Sequence, residues 1–164
     1  MGHAYTVAMV DQTIVANATL VIIRTAAALT TRASMIEVLR AGVSQNGTAT
    51  SQQLGILIGT KVTAFGTYTS TAPNPHVLGG AASGIAGGTT GAAATSGTDA
   101  SAEGAGAVTT LIQDGFNNLN GWLWVGTPEE RIIVPTDTAI ILKIVGTPTT
   151  LTNWNGYLSF QELN

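Results

Sequence analysis

The chain has 164 residues, enough for one domain with a core of its own, yet only 9% are charged against 45% hydrophobic, and the formal net charge is -3. Globular chains usually carry about 25% charge, so much of this surface is expected to be covered by other protein. Its six Lys and Arg residues are scattered and leave no basic stripe for nucleic acid, and the absence of Cys excludes disulfides, thiolate metal sites and a cysteine nucleophile.

Residues 1–31 read as an N-terminal arm with a first strand. The apolar stretches 7–10 and 18–23 are stopped by Asp11 and Arg24, far short of the roughly 20 residues of a membrane span, and no secretion signal precedes them. Ala26, Ala27 and Ala28 fit either a strand or a short helical turn. From residue 32 to 43, alternation places Ile36 and Val38 on one face and Met35, Glu37, Leu39 and Val43 on the other. Glu37 then either pairs with Arg131 or Arg32, or sits at a wet sheet rim. After the Asn46-Gly47 turn, Leu54, Ile56 and Ile58 point inward, and Gln53, Gly55, Leu57 and Gly59 outward. Glycine at Gly55 and Gly59 marks places where another backbone comes close, a candidate contact face.

Residues 64–107 form an insertion of Gly, Ala, Ser and Thr, with a rigid Pro73-Asn74-Pro75 corner. Ile85 is the only large aliphatic residue between 79 and 106, so this segment makes no core alone. It is a surface loop, a segment ordered by a neighbouring molecule, or a layer packed on the parent domain; docking on a neighbour is the expectation.

Residues 108–112 return to strand composition, and Asp114-Gly115 and 117–121 read as turns around Phe116. Residues 121–146 hold three apolar runs, 122–125, 132–134 and 139–145, which read as a buried three-stranded meander framing the domain. Glu129, Glu130 and Arg131 cluster on its first turn as a polar rim, while Trp122 and Trp124 share one face and Leu123 and Val125 the other. A last strand, 157–161, sends Leu158 and Phe160 one way and Tyr157, Ser159 and Gln161 the other. With about eight short strands and no long amphipathic helix, the expected fold is an all-β antiparallel β-sandwich of jelly-roll type, residues 32–164 forming one domain around the insertion.

No catalytic constellation emerges, and no enzyme activity, cofactor or metal is expected. His3 and His76 lack metal-ligand spacing, and the glycine-rich stretch 84–91 has no Lys to make a phosphate loop. Glu129 and Glu130 are neighbours in a turn, whereas glycosidase acids face each other across a cleft. Asn17-Ala18-Thr19 and Asn46-Gly47-Thr48 fit the glycosylation pattern without a secretory route to support it. Trp122, Trp124 and Trp154 serve as core or interface anchors, or as sugar platforms in a trimeric carbohydrate-binding module of a phage fibre or cell surface.

The order 32–38 (Arg-Ala-Ser-Met-Ile-Glu-Val), the insertion after Pro75, Gly115-Phe116-Asn117, 121–124 (Gly-Trp-Leu-Trp), 128–134 (Pro-Glu-Glu-Arg-Ile-Ile-Val) and the closing 158–162 (Leu-Ser-Phe-Gln-Glu) resembles the capsid decoration, or cement, proteins of tailed bacteriophages. The likeness spans residues 32–164. It implies a trimeric jelly roll on the outer surface of the virion, made in the host cytoplasm, clamping neighbouring subunits of the major capsid protein without nucleic acid or membrane. On that reading Trp122, Trp124 and Tyr157 belong to the core or trimer seam, and Glu129, Glu130 and Arg131 to a polar contact. The arm before residue 31 and the segment 79–106, with Ile85, would reach the capsid or adjacent trimers.

Overall fold

The structure, a computed structural model, describes residues 3–29, 33–47 and 50–163. Its strands are β1 (Ala4–Gln12), β2 (Thr19–Arg24), β3 (Ile36–Gln45), β4 (Gln53–Lys61), β5 (Thr67–Ser70), β6 (Asn74–Pro75), β7 (Ala86–Gly87), β8 (Thr95–Ala102), β9 (Thr109–Asn117), β10 (Trp122–Val125), β11 (Ile132–Val134), β12 (Ala139–Val145) and β13 (Trp154–Glu162). No helix occurs among the described residues. Sheet A runs β10-β3-β13-β1-β6, with β11 also on β3; sheet B runs β5-β8-β2-β12-β4-β9, with β7 on β8. Apart from the short parallel β7–β8 contact, the strands pair antiparallel and the two sheets pack together, giving the expected β-sandwich.

Period-two alternation drives the packing. Tyr5, Val7 and Met9 of β1, Leu54, Ile56 and Ile58 of β4, and Leu158 and Phe160 of β13 all enter the main core. Trp154 is wholly buried there, packed edge to face on Phe116 at 6.4 Å, its indole N–H donating to Thr150 O at 2.9 Å. It offers no sugar platform, and truncating it to Ala would cost about 3–5 kcal/mol of core packing.

The phase of β3 changes midway. Arg40 faces Ser159 while Val38 faces Phe160, so Leu39 is an extra residue in a β-bulge. One inserted residue flips the following side chains to the opposite face. Val43, expected opposite Ile36 and Val38, therefore shares their core.

The three runs of the expected meander form strands with the expected bounds, but they do not pair with one another. Trp122 to Val125 lie against Val43 to Arg40, and Ile132 to Val134 continue along Val38 to Ile36, so β10 and β11 succeed each other on one edge of β3. β12 instead crosses to sheet B, between β2 and β4. Burial explains the division: Ala139, Ile140, Ile141 and Leu142 are apolar on both faces and need cover on both, whereas β10 alternates and suits an edge.

Residues 3–29 do not form an arm. β1 lies inside sheet A between β13 and β6, and β2 lies inside sheet B between β8 and β12. Residues 27–29 form bends and a turn, and Ala26, Ala27 and Ala28 are in neither strand nor helix. Arg32 and Thr48 lie outside the described residues.

The insertion is likewise part of the domain. β8 pairs with β2, β6 caps the edge of β1, and Ile85 sits in the main core. The Tyr5 hydroxyl donates to Ala81 O at 3.2 Å, and Ser83 and Gly84 donate to Glu162 Oε1 at 2.6 and 2.7 Å. The insertion thus closes one flank of the sandwich. Phe65, Tyr68 and Ala100 also join Ile22, Leu57, Ala139 and Ile141 in a second apolar cluster. Leu57 and Gly59, expected to face outward, with Gly59 on a candidate contact face, are therefore buried under their own chain. A Cβ on Gly59 would stand 2.8 Å from Thr109 O and from Val108 Cγ1, so the close backbone there is internal.

Glu103 fastens this layer. Its carboxylate accepts from Lys143 Nζ at 2.7 Å, from Thr19 Oγ1 at 2.8 Å and from the Thr19 N–H. Its carbonyl accepts from Lys61 Nζ at 2.7 Å. Burial lowers the Lys61 pKa below its ordinary value, the Glu103 charge opposes that shift, and Lys143 reinforces it.

Deleting residues 79–106 is expected to abolish the cooperative urea transition, since it removes Ile85, β7, β8 and the Glu103 clamp together. A deletion variant melting within a few degrees of the full chain would contradict this account of the insertion.

Candidate interaction surface

Among the described residues, the flank opposite the insertion is open. β9 ends sheet B and β10 with β11 ends sheet A, and the turn 118–121 carries the chain directly from one edge to the other. Asn118 holds that turn: its side-chain amide donates to Gln45 Oε1 at 2.9 Å and Thr50 O at 3.0 Å, and its Oδ1 accepts the Gln52 N–H at 2.8 Å. Gly121 supplies the left-handed conformation, φ +70°, that lets β10 start. Across the seam, Trp122 Nε1 donates to Asp114 Oδ2 at 3.1 Å. That hydrogen bond, followed by the Gly115 N–H, holds the Asp114 carboxyl below its usual pKa.

Asp114-Gly115 does not turn the chain. β9 runs straight through both residues, with Asp114 opposite Ile56 and Gly115 opposite Gly55. β9 carries a bulge of its own: Ile112 faces Ile58 and Thr110 faces Gly59, leaving Leu111 as the extra residue. Leu111 and Ile112 then both reach a cleft of about 590 Å³ between the sheets, lined also by Trp124, Glu130, Ile132 and Ile133. Of the cleft's residues, Leu111 is 45% exposed and Ile133 56%, while Leu123 and Val125, on the other face of β10, are 62% and 60% exposed.

The charge on this flank is negative. Glu129 and Glu130 stand exposed in the turn between β10 and β11, Glu130 accepting from Thr127 Oγ1 at 3.2 Å. Arg131 turns away to Glu37, 3.6 Å from Oε2, and Gln161 also donates to that carboxylate. Other described cations are engaged elsewhere: Arg24 with Asp137 at 2.6 Å, Lys143 with Glu103 at 2.7 Å, and Lys61 with backbone carbonyls. Arg40 donates to Ser159 Oγ at 3.2 Å and lies 5.7 Å from the Tyr157 ring centroid.

The candidate contact residues therefore separate. Trp122, Trp124, Glu129, Glu130 and Arg131 share the open flank, both indoles half-buried against the core. Tyr157 lies apart on the outer face of sheet A, its ring over Gly42, where a Cβ would meet Cε1 at 2.5 Å. There it lines a shallow depression of about 450 Å³ with Ser44, Asn120, Trp122, Leu123 and Asn155. Gly55 is half-buried beside Val145, and Gly59 and Ile85 are interior.

Nothing in the sequence marks Leu111 and Ile133 as contacts, and alternation sets Leu123 and Val125 on one face of a run that reads as buried, whereas both are exposed. Among the described residues, no group of three or more His, Asp or Glu side chains converges to hold a metal ion.

Exposed side chains add little to the folding free energy, within about 0.5 kcal/mol each. Combined Leu111→Ser, Leu123→Ser and Ile133→Ser is expected to leave the thermal midpoint within a few degrees of the parent while lowering binding of a hydrophobic dye. A large fall in midpoint would show that these side chains belong to the core.

No protein-family model, curated protein or solved structure matches the chain.

Proposed function

We propose that the protein is a structural virion component that decorates and cements a tailed-bacteriophage capsid, binding as a homotrimer of jelly-roll subunits between neighbouring major capsid proteins on the outer surface. The observation that carries this reading is the open flank: two free strand edges and an apolar cleft, on a chain with 9% charged residues. Contiguous exposed apolar surface marks a site for association with other protein.

A cyclic trimer uses heterologous contacts, so a patch on one subunit meets a different patch on the next. Three subunits touching several lattice proteins at once bind through linked weak contacts, and their avidity exceeds that of any single one. Because only the assembled lattice offers those contacts together, binding stabilises the lattice by mass action. Phe65, Tyr68 and Ile85 of the insertion and most apolar residues of the first two strands are committed to the domain itself, whereas Val10, Val77 and Leu78 stand exposed and remain available for contact.

Purified protein mixed with expanded, undecorated capsids is expected to cosediment to a fixed stoichiometry, to scatter light as a trimer when free, and to raise the temperature at which capsids rupture. A monomer that leaves the capsids unbound would overturn the proposal.

A further inference from the structure

We propose that residues 112–117 of β9 are a strand-addition site for an extended segment of a different protein, one with apolar side chains at alternate positions and a Lys or Arg among them. Natural sheet edges are usually blunted by proline, charge, bulges or short length. β9 has no proline, and its only charge is Asp114. Its bulge falls at Leu111, so residues 112–117 stay in regular register with β4 on one side and, among the described residues, have no strand on the other. Six residues at about 3.3 Å each span about 20 Å, the length of an ordinary strand.

The side chains specify the occupant. Ile112 and Phe116 pack with the core and Asp114 bonds Trp122, so these three face the seam, with the cleft beside Ile112. A strand added to β9 would set alternate side chains on the same side, where apolar groups fill the cleft against Trp124, Ile132 and Ile133. Asp114 and Glu130 leave uncompensated negative charge at that place, which favours a cation on the incoming strand.

The same flank of a second copy would bring Asp114, Glu129 and Glu130, three more carboxylates, while its Arg131 is held by Glu37. Of the other described Lys and Arg side chains, Arg24, Lys61 and Lys143 are tied into internal contacts, and the exposed Arg40 lies at Ser159 and Tyr157. Like charge on the two flanks thus disfavours a second copy and favours a heterologous strand. This deepens the assembly reading by naming what seats on the flank, and it holds whether or not the partner is a capsid lattice.

The test titrates the full-length, ¹⁵N-labelled protein with the capped peptide Ile-Thr-Lys-Thr-Ile-Thr-Val and with the same peptide carrying Glu in place of Lys. The expected result is saturable amide shifts centred on residues 112–117, with the Lys peptide bound at least tenfold more tightly. Glu130→Lys, in an exposed turn, is expected to narrow or invert that preference while leaving the spectrum otherwise unchanged. No shifts with either peptide, equal binding of both, or shifts confined to the depression beside Tyr157 would overturn the inference. Shifts at 112–117 that appear on raising protein concentration alone would overturn it in favour of a second copy. Capsid binding with a silent β9 edge would retire this inference and keep the decoration reading; peptide addition without capsid binding would do the reverse.

Discussion

Sheet B is apolar on both faces, and the rest of the molecule follows from covering it. Its inner face, with Ile56, Ile58, Ile140, Leu142 and Ile144, is met by sheet A. Its outer face carries Ile22, Leu57 and Ile141, which have no second sheet to meet them and are instead covered by Phe65, Tyr68 and Ala100. Exposing that second cluster would forfeit the burial of several large side chains, each worth about 1.5–3 kcal/mol. Phe65 and Tyr68 supply the large side chains of this cover, and Gly and Ala let the rest of the segment's backbone lie close to the sheet. Gly91, at φ +61°, would bring a Cβ within 2.5 Å of Phe65 Cβ.

Charge is distributed by the same logic. Few ionised groups are present, and those near apolar surface are paired. Glu103 is held by Lys143 and Thr19, Arg24 is held by Asp137 and stacked 4.2 Å over Phe65, and Glu37 is held by Arg131 and Gln161. Partly buried ions left unpaired would be costly, and among the described residues Arg24, Lys61, Arg131 and Lys143 are held in internal contacts while Arg40 is exposed. What remains at the surface of the open flank is acidic, beside exposed Leu, Val and Ile. The insertion closes one side of the sandwich and the internal ion pairs leave the other side, at β9, β10 and β11, both apolar and negative, which is where the proposed strand addition is placed.

Much of this was legible in the sequence where a strand obeys simple alternation. The runs 122–125, 132–134 and 139–145 are the observed strands, and the Glu37–Arg131 pairing was among the alternatives that a carboxylate next to apolar neighbours demands. Three features were hidden for separable reasons. Bulges at Leu39 and Leu111 shift the side-chain phase without a residue type that announces them. Asp114-Gly115 has turn chemistry, but its neighbours pair with β4 across the whole strand, and tertiary pairing overrides the local signal. The insertion's few large side chains, Phe65, Tyr68 and Ile85, are scattered among Gly, Ala, Ser and Thr without a strand-like period, and the apolar outer face of the sheet beneath it is visible only once Leu57 and Ile141 are known to share that face.

Native-state hydrogen exchange compares the two sides of the molecule directly. β8, although part of the insertion, is predicted to exchange as slowly as β2, its neighbour in the sheet, through global unfolding. In β9, the amides not bonded to β4 should exchange fast in the isolated protein. Rapid exchange throughout residues 95–102 together with slow exchange throughout 109–117 would contradict the account, placing the free surface on the insertion and not on the open flank.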